Sequence, residues 1–382
     1  MKSLKFILAP DSFKGSLSSR EVCSAMEIGI NRIFPDAKVT SIPLADGGEG
    51  TLDAIISSAN GKIVNCSVKN PVEKIINSQY GIIEDKKIAV IEMAAASGLN
   101  LIPKKLQNPL YTTTYGTGQL IKDALENGYR KFIISIGGSA TTDGGAGMAQ
   151  ALGVDFFDKN GGIISEPMTG NLMGKCFDIS TENLHSAIKN SDFTIASDVN
   201  NPLLGKNGAV YVYAYQKGAS KKDLPILENN MKHLYNIVKN KLNINVKDIP
   251  GSGASGGLGA GLMAFLDAEI QSGIEIVLDI VKFDEKIKDA DYIITGEGKL
   301  DVQTINGKTI SGILRKNNIP MIAIAGIVEN EKKILSKMNL KKIFSISNSK
   351  ISVEYAIKNA SKLVTKKMEE VCEYIKRNKN NE

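Results

Sequence analysis

The chain has 382 residues, 42% apolar and 23% charged, with a formal net charge of +6. At roughly 100–200 residues per domain, this implies two or three folded domains whose core needs neither disulfides nor a structural metal. The absence of any run of about 18 apolar residues excludes a membrane-spanning helix, and lysine runs such as Lys341-Lys342 and Lys366-Lys367 read as solvated helix faces, because no nucleic-acid motif accompanies them.

In chain order, Leu4–Ala9 reads as a short apolar strand broken by Pro10-Asp11. It lacks the length and cleavage site of a signal peptide. Ser18 followed by Glu21 has the spacing of a capping box and predicts a helix start. Val39–Pro43 is a second strand, ended by Ala45-Asp46-Gly47-Gly48-Glu49-Gly50, and a helix follows near Thr51–Ser58. Gln79–Glu84 and Lys87–Glu92 form a predicted antiparallel hairpin. Helix Gly118–Glu126 and strand Lys131–Ile136 lead into a glycine-rich turn at Gly137–Gly147. Short strands are expected at Phe193–Ser197 and Ile244–Ile249. The last third alternates again: strand Tyr292–Thr295, a turn at Gly296–Asp301, helix Ile310–Lys316, strand Met321–Ala325, a Lys-rich helix near Glu329–Met338, strand Ile343–Ile346 and a long final helix. Alternating strands and helices predict a parallel sheet with right-handed crossovers. The fold class is therefore α/β, with two unlike α/β domains. One, Rossmann-like and discontinuous, takes residues 1–70 plus 285–382; a central α/β domain, 71–284, is inserted in it.

Cys23, Cys66, Cys176 and Cys372 are scattered without a CxxC pair, which excludes a zinc ribbon or thioredoxin-type motif. Reduced thiols in a cytoplasmic protein fit best. His185 and His233 lie outside every motif, so a histidine-based hydrolytic triad is disfavoured.

Six turns rich in glycine or aspartate recur: 11–16, 46–51, 137–147, 198–205, 251–261 and 296–301. Loops at strand ends are where open α/β proteins place their sites. Glycine permits close backbone approach, and helix N-termini bind anions. Glycine is also the default turn residue, so any one of these turns has a purely structural explanation. Gly251-Ser252-Gly253-Ala254-Ser255-Gly256 fits GxGxxG, but Pro250 precedes it and no convincing βαβ set surrounds it. Gly307-Lys308-Thr309 resembles the end of a P-loop, yet Val302 stands where the earlier glycine is required. HRD and DFG motifs are absent, which excludes a protein kinase. Asp11, Asp46, Asp143, Asp198, Glu297 and Asp301 sit in or beside the turns. Phosphoryl transfer uses carboxylates to hold Mg²⁺ and to accept the proton of the attacking hydroxyl. Lys14, Lys299 and Lys308 are candidate point charges for phosphate or carboxylate.

Taken together the turns resemble the bacterial class I glycerate kinases. The resemblance runs from Ala9-Pro10-Asp11-Ser12-Phe13-Lys14-Gly15 to Ala323-Ile324-Ala325-Gly326. Its most specific segments are 45–51, Glu92-Met93-Ala94-Ala95-Ala96-Ser97-Gly98-Leu99 and 137–147, continued by Asp198-Val199-Asn200-Asn201-Pro202-Leu203, Gln216-Lys217-Gly218-Ala219 and 296–301. Thr142, Ser252, Ser255 and Ile327-Val328 depart from the family pattern.

The resemblance implies two α/β domains around an interdomain cleft, ATP with Mg²⁺, and phosphorylation of D-glycerate, with 2-phosphoglycerate the usual product. Asp198 is the candidate proton acceptor. Asp11, Lys14, Asp46 and Ser139 are candidates for substrate. Gly137, Gly138, Gly253, Gly256, Gly257, Glu297 and Asp301 are candidates for ATP, and Asp46 and Glu297 for Mg²⁺. No nucleic-acid or membrane partner is expected, and the chain is expected as a monomer or homodimer. A kinase for another small hydroxy acid, or a non-catalytic nucleotide sensor, remains an alternative.

Overall fold

The computed structural model describes residues 3–45, 47–48, 50–301, 310, 312–313, 318–338, 340–347 and 352–379. The expected helix Ile310–Lys316 lies largely outside them, as do Asp46 and Lys308. The chain divides into two compact units: Met1–Asp46, Asp53–Ala59 and Ile274–Glu382 in one, Gly47–Leu52 and Asn60–Gly273 in the other.

The first unit is built on a parallel sheet of order β13-β12-β11-β1-β2. Its strands are β1 (Lys5–Leu8), β2 (Lys38–Ser41), β11 (Tyr292–Leu300), β12 (Met321–Val328) and β13 (Lys342–Ser345). Helix Ser19–Ile33 starts at the expected box: Ser18 Oγ accepts from Glu21 N, and Ser18 N donates to Glu21 Oε2 at 2.8 Å. Such a cap is worth about 1 kcal/mol. Val22, Met26, Gly29 and Ile30 share the buried face, the i, i+4, i+7 spacing of an amphipathic helix. It packs on helix Ala360–Lys379, where Thr365 Oγ1 donates to Ala25 O at 3.0 Å. A methyl at Gly29 would lie 2.7 Å from Met368 Cβ, so this close helix contact requires glycine. Phe6, Leu8, Ile294 and Ile324 complete the core beneath.

The expected turn at Gly296–Asp301 is a strand for most of its length. β11 continues to Leu300, pairing Gly296 with Ile324 and Glu297 with Ala325. The glycine is there for packing, since a Cβ on Gly296 would meet Ile324 O at 2.2 Å.

The second unit carries a sheet of order β10-β9-β6-β5-β4-β3. Its strands are β3 (Lys62–Lys69), β4 (Ile75–Ile83), β5 (Ile88–Glu92), β6 (Lys131–Ser135), β9 (Asp192–Ala196) and β10 (Glu269–Gln271). The predicted hairpin is present, with Ile83 opposite Ile88. β5, β6 and β9 are parallel, and their apolar runs suit strands covered on both faces. β7 (Asp155–Phe157) and β8 (Asp178–Ser180) form a separate ribbon. Two readings change. β3 pairs along β4, so residues 62–69, assigned by sequence to the outer domain, belong to this sheet. Ile244–Ile249 forms no strand, which removes the element a dinucleotide fingerprint at 251–256 would need.

The four cysteines are free thiols. Burial holds Cys23, Cys176 and Cys372 up at about 12, leaving them inert as nucleophiles. His233 Nε2 bonds Cys176 O at 2.6 Å, and His185 Nδ1 caps a short 3₁₀ turn, so both histidines are structural.

Candidate active site

In the first unit the chain steps from β1 to β2 on one side, while β11, β12 and β13 build out on the other. The order therefore reverses between β1 and β11. Such a switch point leaves a crevice at the carboxyl ends of the strands, where open α/β sheets bind ligands. Asp11 lies just beyond β1, and its N–H donates to Gly296 O at 2.8 Å across that point.

A cavity of about 260 Å³ opens there. Asp11, Ser12, Lys14 and Glu297 line it together with the apolar Ile327, Ile346, Val353 and Ile357. Asp11 and Glu297 are only 6% and 7% exposed, while Lys14 stands exposed at the rim. Asp11 Oδ1 accepts from Ser12 N at 2.6 Å. Two carboxyl groups lining one crevice are the oxygen-rich chemistry that suits a hard cation. Lys299 also lines the cavity, half-exposed. Its Nζ lies 2.9 Å from Glu329 Oε1 and 3.7 Å from Asp301 Oδ2, and the Glu329 hydrogen bond raises its pKa. Asp301 thus shares Lys299 with Glu329.

In the second unit, Gly137, Gly138 and Ser139 follow β6, and Asp198 follows β9 by two residues. Gly138 and Asp198 are exposed, and Gly137 is half-buried. The other glycine segment differs from expectation. Ala254–Leu266 is a helix interrupted at Ser255, Gly256 and Gly257, all at positive φ. Gly253, Gly256 and Gly257 are buried and make close packing possible. A Cβ would lie 2.1 Å from Pro202 O at Gly253, 2.0 Å from Thr141 O at Gly256, and 2.9 Å from Gly144 Cα at Gly257. The Gly253 N–H is already donated to Asn201 O at 3.0 Å, which takes it away from any phosphate. Gly137 and Gly138 are the accessible pair.

Asp143 is a structural acid. It is wholly buried and accepts from Thr114 N (2.8 Å), Thr114 Oγ1 (2.7 Å), Gly147 N (3.2 Å) and Gly145 N (3.1 Å). Those donors hold the 137–147 turn against the helix Tyr115–Glu126.

Sequence reasoning missed Lys217. It is 2% exposed, and its Nζ donates to Ser139 Oγ and Thr141 O, each at 2.6 Å. Burial pulls its pKa down to about 7, against the opposing pull of Asp143. A lysine before a glycine in a loop reads as surface. The available signal was only its membership in the Gln216–Ala219 match.

Magnesium takes oxygen ligands and keeps several waters, so one or two carboxylates plus phosphate oxygens suffice. Glu297, buried in the crevice, fits that role. Among the described residues no group of three or more His, Cys, Asp or Glu is placed to hold a metal by itself. Among them, too, no helix is long and apolar enough to cross a membrane.

A parallel sheet with acids at its switch point, and a second sheet with an accessible glycine turn, is an α/β architecture of the kind that handles phosphorylated ligands. The model of the glycerate kinase family matches residues 6–376. Glycerate 2-kinase of Escherichia coli K12 is 44% identical over 360 residues, 94% of each chain. Glycerate kinase of Bacillus subtilis 168 is 40% identical over 376 residues, 98% of each. The crystal structure of a Salmonella typhimurium LT2 protein assigned to glycerate kinase 2 superposes with a TM-score of 0.88 at 40% identity, covering 99% of this chain and all of that one. The chain belongs to the glycerate kinase family.

Proposed function

We propose that this enzyme transfers the γ-phosphoryl group of ATP to the 2-hydroxyl of D-glycerate, yielding 2-phospho-D-glycerate and ADP. The carrying observation is the family match over nearly the whole chain; the relative named glycerate 2-kinase supports the 2-position. The switch-point crevice with Asp11, Lys14 and Glu297 supports a site for anionic ligands and their counter-ion.

In this reading Lys14 meets the glycerate carboxylate as a point charge, and Asp11 orders the turn that carries it. The N–H groups of Gly137, half-buried, and Gly138, exposed, are assigned with Ser139 to anionic oxygens. Asp198 accepts the proton as the hydroxyl oxygen bonds to the γ-phosphorus and the bond to ADP breaks. Glu297 and Asp46 are the proposed magnesium ligands, Asp46 lying outside the described residues. Bound magnesium neutralises charge on the transferring group. The protein's share is positioning and charge compensation, as phosphoryl transfer demands. We place the enzyme in the cytoplasm, as a monomer or homodimer.

The test is ADP release by the purified protein with MgATP and a panel of small hydroxy acids. D-glycerate should give the highest kcat/KM. Equal or better turnover of another acid would move the assignment to that substrate, and ATP binding without turnover would favour a sensor.

A further inference from the structure

We propose that Lys217 is a positioning residue that makes the Ser139 hydroxyl a dedicated donor to an anionic oxygen of the bound substrates. The inference rests on the kinase reading and adds a residue to it. Its ground is hydrogen-bond direction. Whenever Lys217 is protonated it has three donors and no acceptor, so Ser139 Oγ then accepts in its 2.6 Å bond to Lys217 Nζ; an arriving anion favours that form. The serine's own proton is then left over, and among the described residues it has no acceptor. The 2.6 Å bond from Nζ to Thr141 O fixes the lysine head on the same turn, so Nζ cannot leave Ser139 without losing a second contact.

The turn as a whole holds a surplus of donors. Thr141 and Thr142 each bury a hydroxyl without a partner among the described residues. The third hydrogen of Lys217 is likewise unmatched among them. Buried donors without acceptors are costly, and an anionic oxygen bound at Ser139 would give its leftover proton an acceptor. Burial alone disfavours the ammonium form of Lys217. Asp143, the charged group acting on it, and an arriving anion both favour that form. The anion therefore reinforces the arrangement that binds it.

The source of the anionic oxygen is either the glycerate carboxylate or the transferring phosphoryl group. Kinetics of Lys217→Met, Ser139→Ala and the double variant decide both points. Each single variant should lose about 10–100-fold in kcat/KM, the worth of a charge-assisted hydrogen bond. The double variant should lose no more than the worse single one, because both remove the same interaction. A rise in KM for glycerate alone assigns the oxygen to the carboxylate. A fall in kcat, or a rise in KM for ATP, assigns it to the phosphoryl group. Additive losses would overturn the proposal, since Lys217 would then act merely as packing. If Lys217→Met fails to fold, Ser139→Ala alone decides: wild-type kinetics in that mild variant refute the role. Wild-type turnover of glycerate is the reference for every comparison, so failure of the kinase reading shows there and not in the additivity.

Discussion

Asp143→Ala should unfold the second unit's glycine turn rather than stop a chemical step. The carboxylate takes four hydrogen bonds at 2.7–3.2 Å in a site with no exposure. Truncation leaves two Thr114 donors and the N–H groups of Gly145 and Gly147 unpaired. An unsatisfied buried donor costs about 1–3 kcal/mol, so four of them cost roughly 4 kcal/mol or more unless entering water rescues some. That is a large share of the ~5–15 kcal/mol that holds a typical domain folded. Asp143→Asn should fall between. With its oxygen on the three-donor side it keeps Thr114 and Gly147, while its amide opposes the Gly145 N–H. Native-state hydrogen exchange reads the effect locally, without assuming that both units unfold together. Protection at Thr114, Gly145 and Gly147 should fall in the order wild type, Asn, Ala, with the melting temperature following. Wild-type protection in Asp143→Ala, accompanied by lost turnover, would refute this reasoning and make Asp143 a chemical acid.

Asp198→Asn preserves shape and removes the proton acceptor, so kcat should fall about 10²–10⁴-fold with an unchanged melting temperature; near-normal kcat removes Asp198 from the role. Gly256→Ala forces a Cβ to 2.0 Å from Thr141 O at a φ of +69°; urea unfolding should show a loss of about 1–3 kcal/mol or more, and wild-type stability would contradict the close packing of the two glycine segments. Lys217 gives a pH signature with a defined sign. Its folded pKa of about 7 lies below the ordinary 10.5, so between these values the unfolded chain binds the extra proton and stability rises with pH. Relative to Lys217→Met, wild type should gain up to about 1.4 kcal/mol per pH unit over that window; a flat difference would mean the lysine stays charged when buried.

The elements most legible in the sequence were those whose signal is local. The Ser18–Glu21 box needs four residues to recognise, and the β5 and β6 apolar runs announce buried strands. Non-local causes were harder to read. Gly296-Glu297-Gly298 spells a turn, yet Gly296 serves close contact with Ile324 of β12, and only the paired strand reveals that. β3 is rich in Lys, Asn and Ser because it is an edge strand, so it lacks the apolar run that marks its neighbours. Ile244–Ile249 alternates like a strand, but its register has no partner. Asp11, Lys14, Asp198 and the Gly137-Gly138-Ser139 turn could be singled out because strand tips carry sites. Gly253, Gly256 and Gly257 looked the same in sequence, and in the fold each stands where a Cβ would clash with a neighbouring segment. Lys217 was hidden because its partner Ser139 is 78 positions away, and nothing local marks a lysine as buried.

The proposed reaction moves a phosphoryl group from ATP onto the 2-hydroxyl of D-glycerate. A ³¹P NMR spectrum of the reaction with MgATP measures it directly. The account predicts one new phosphomonoester resonance coupled to the C2 proton, growing as the γ-phosphate signal of ATP disappears and ADP accumulates. A resonance coupled to the C3 protons would contradict the assigned position, and ATP left intact beside unreacted D-glycerate would contradict the activity itself.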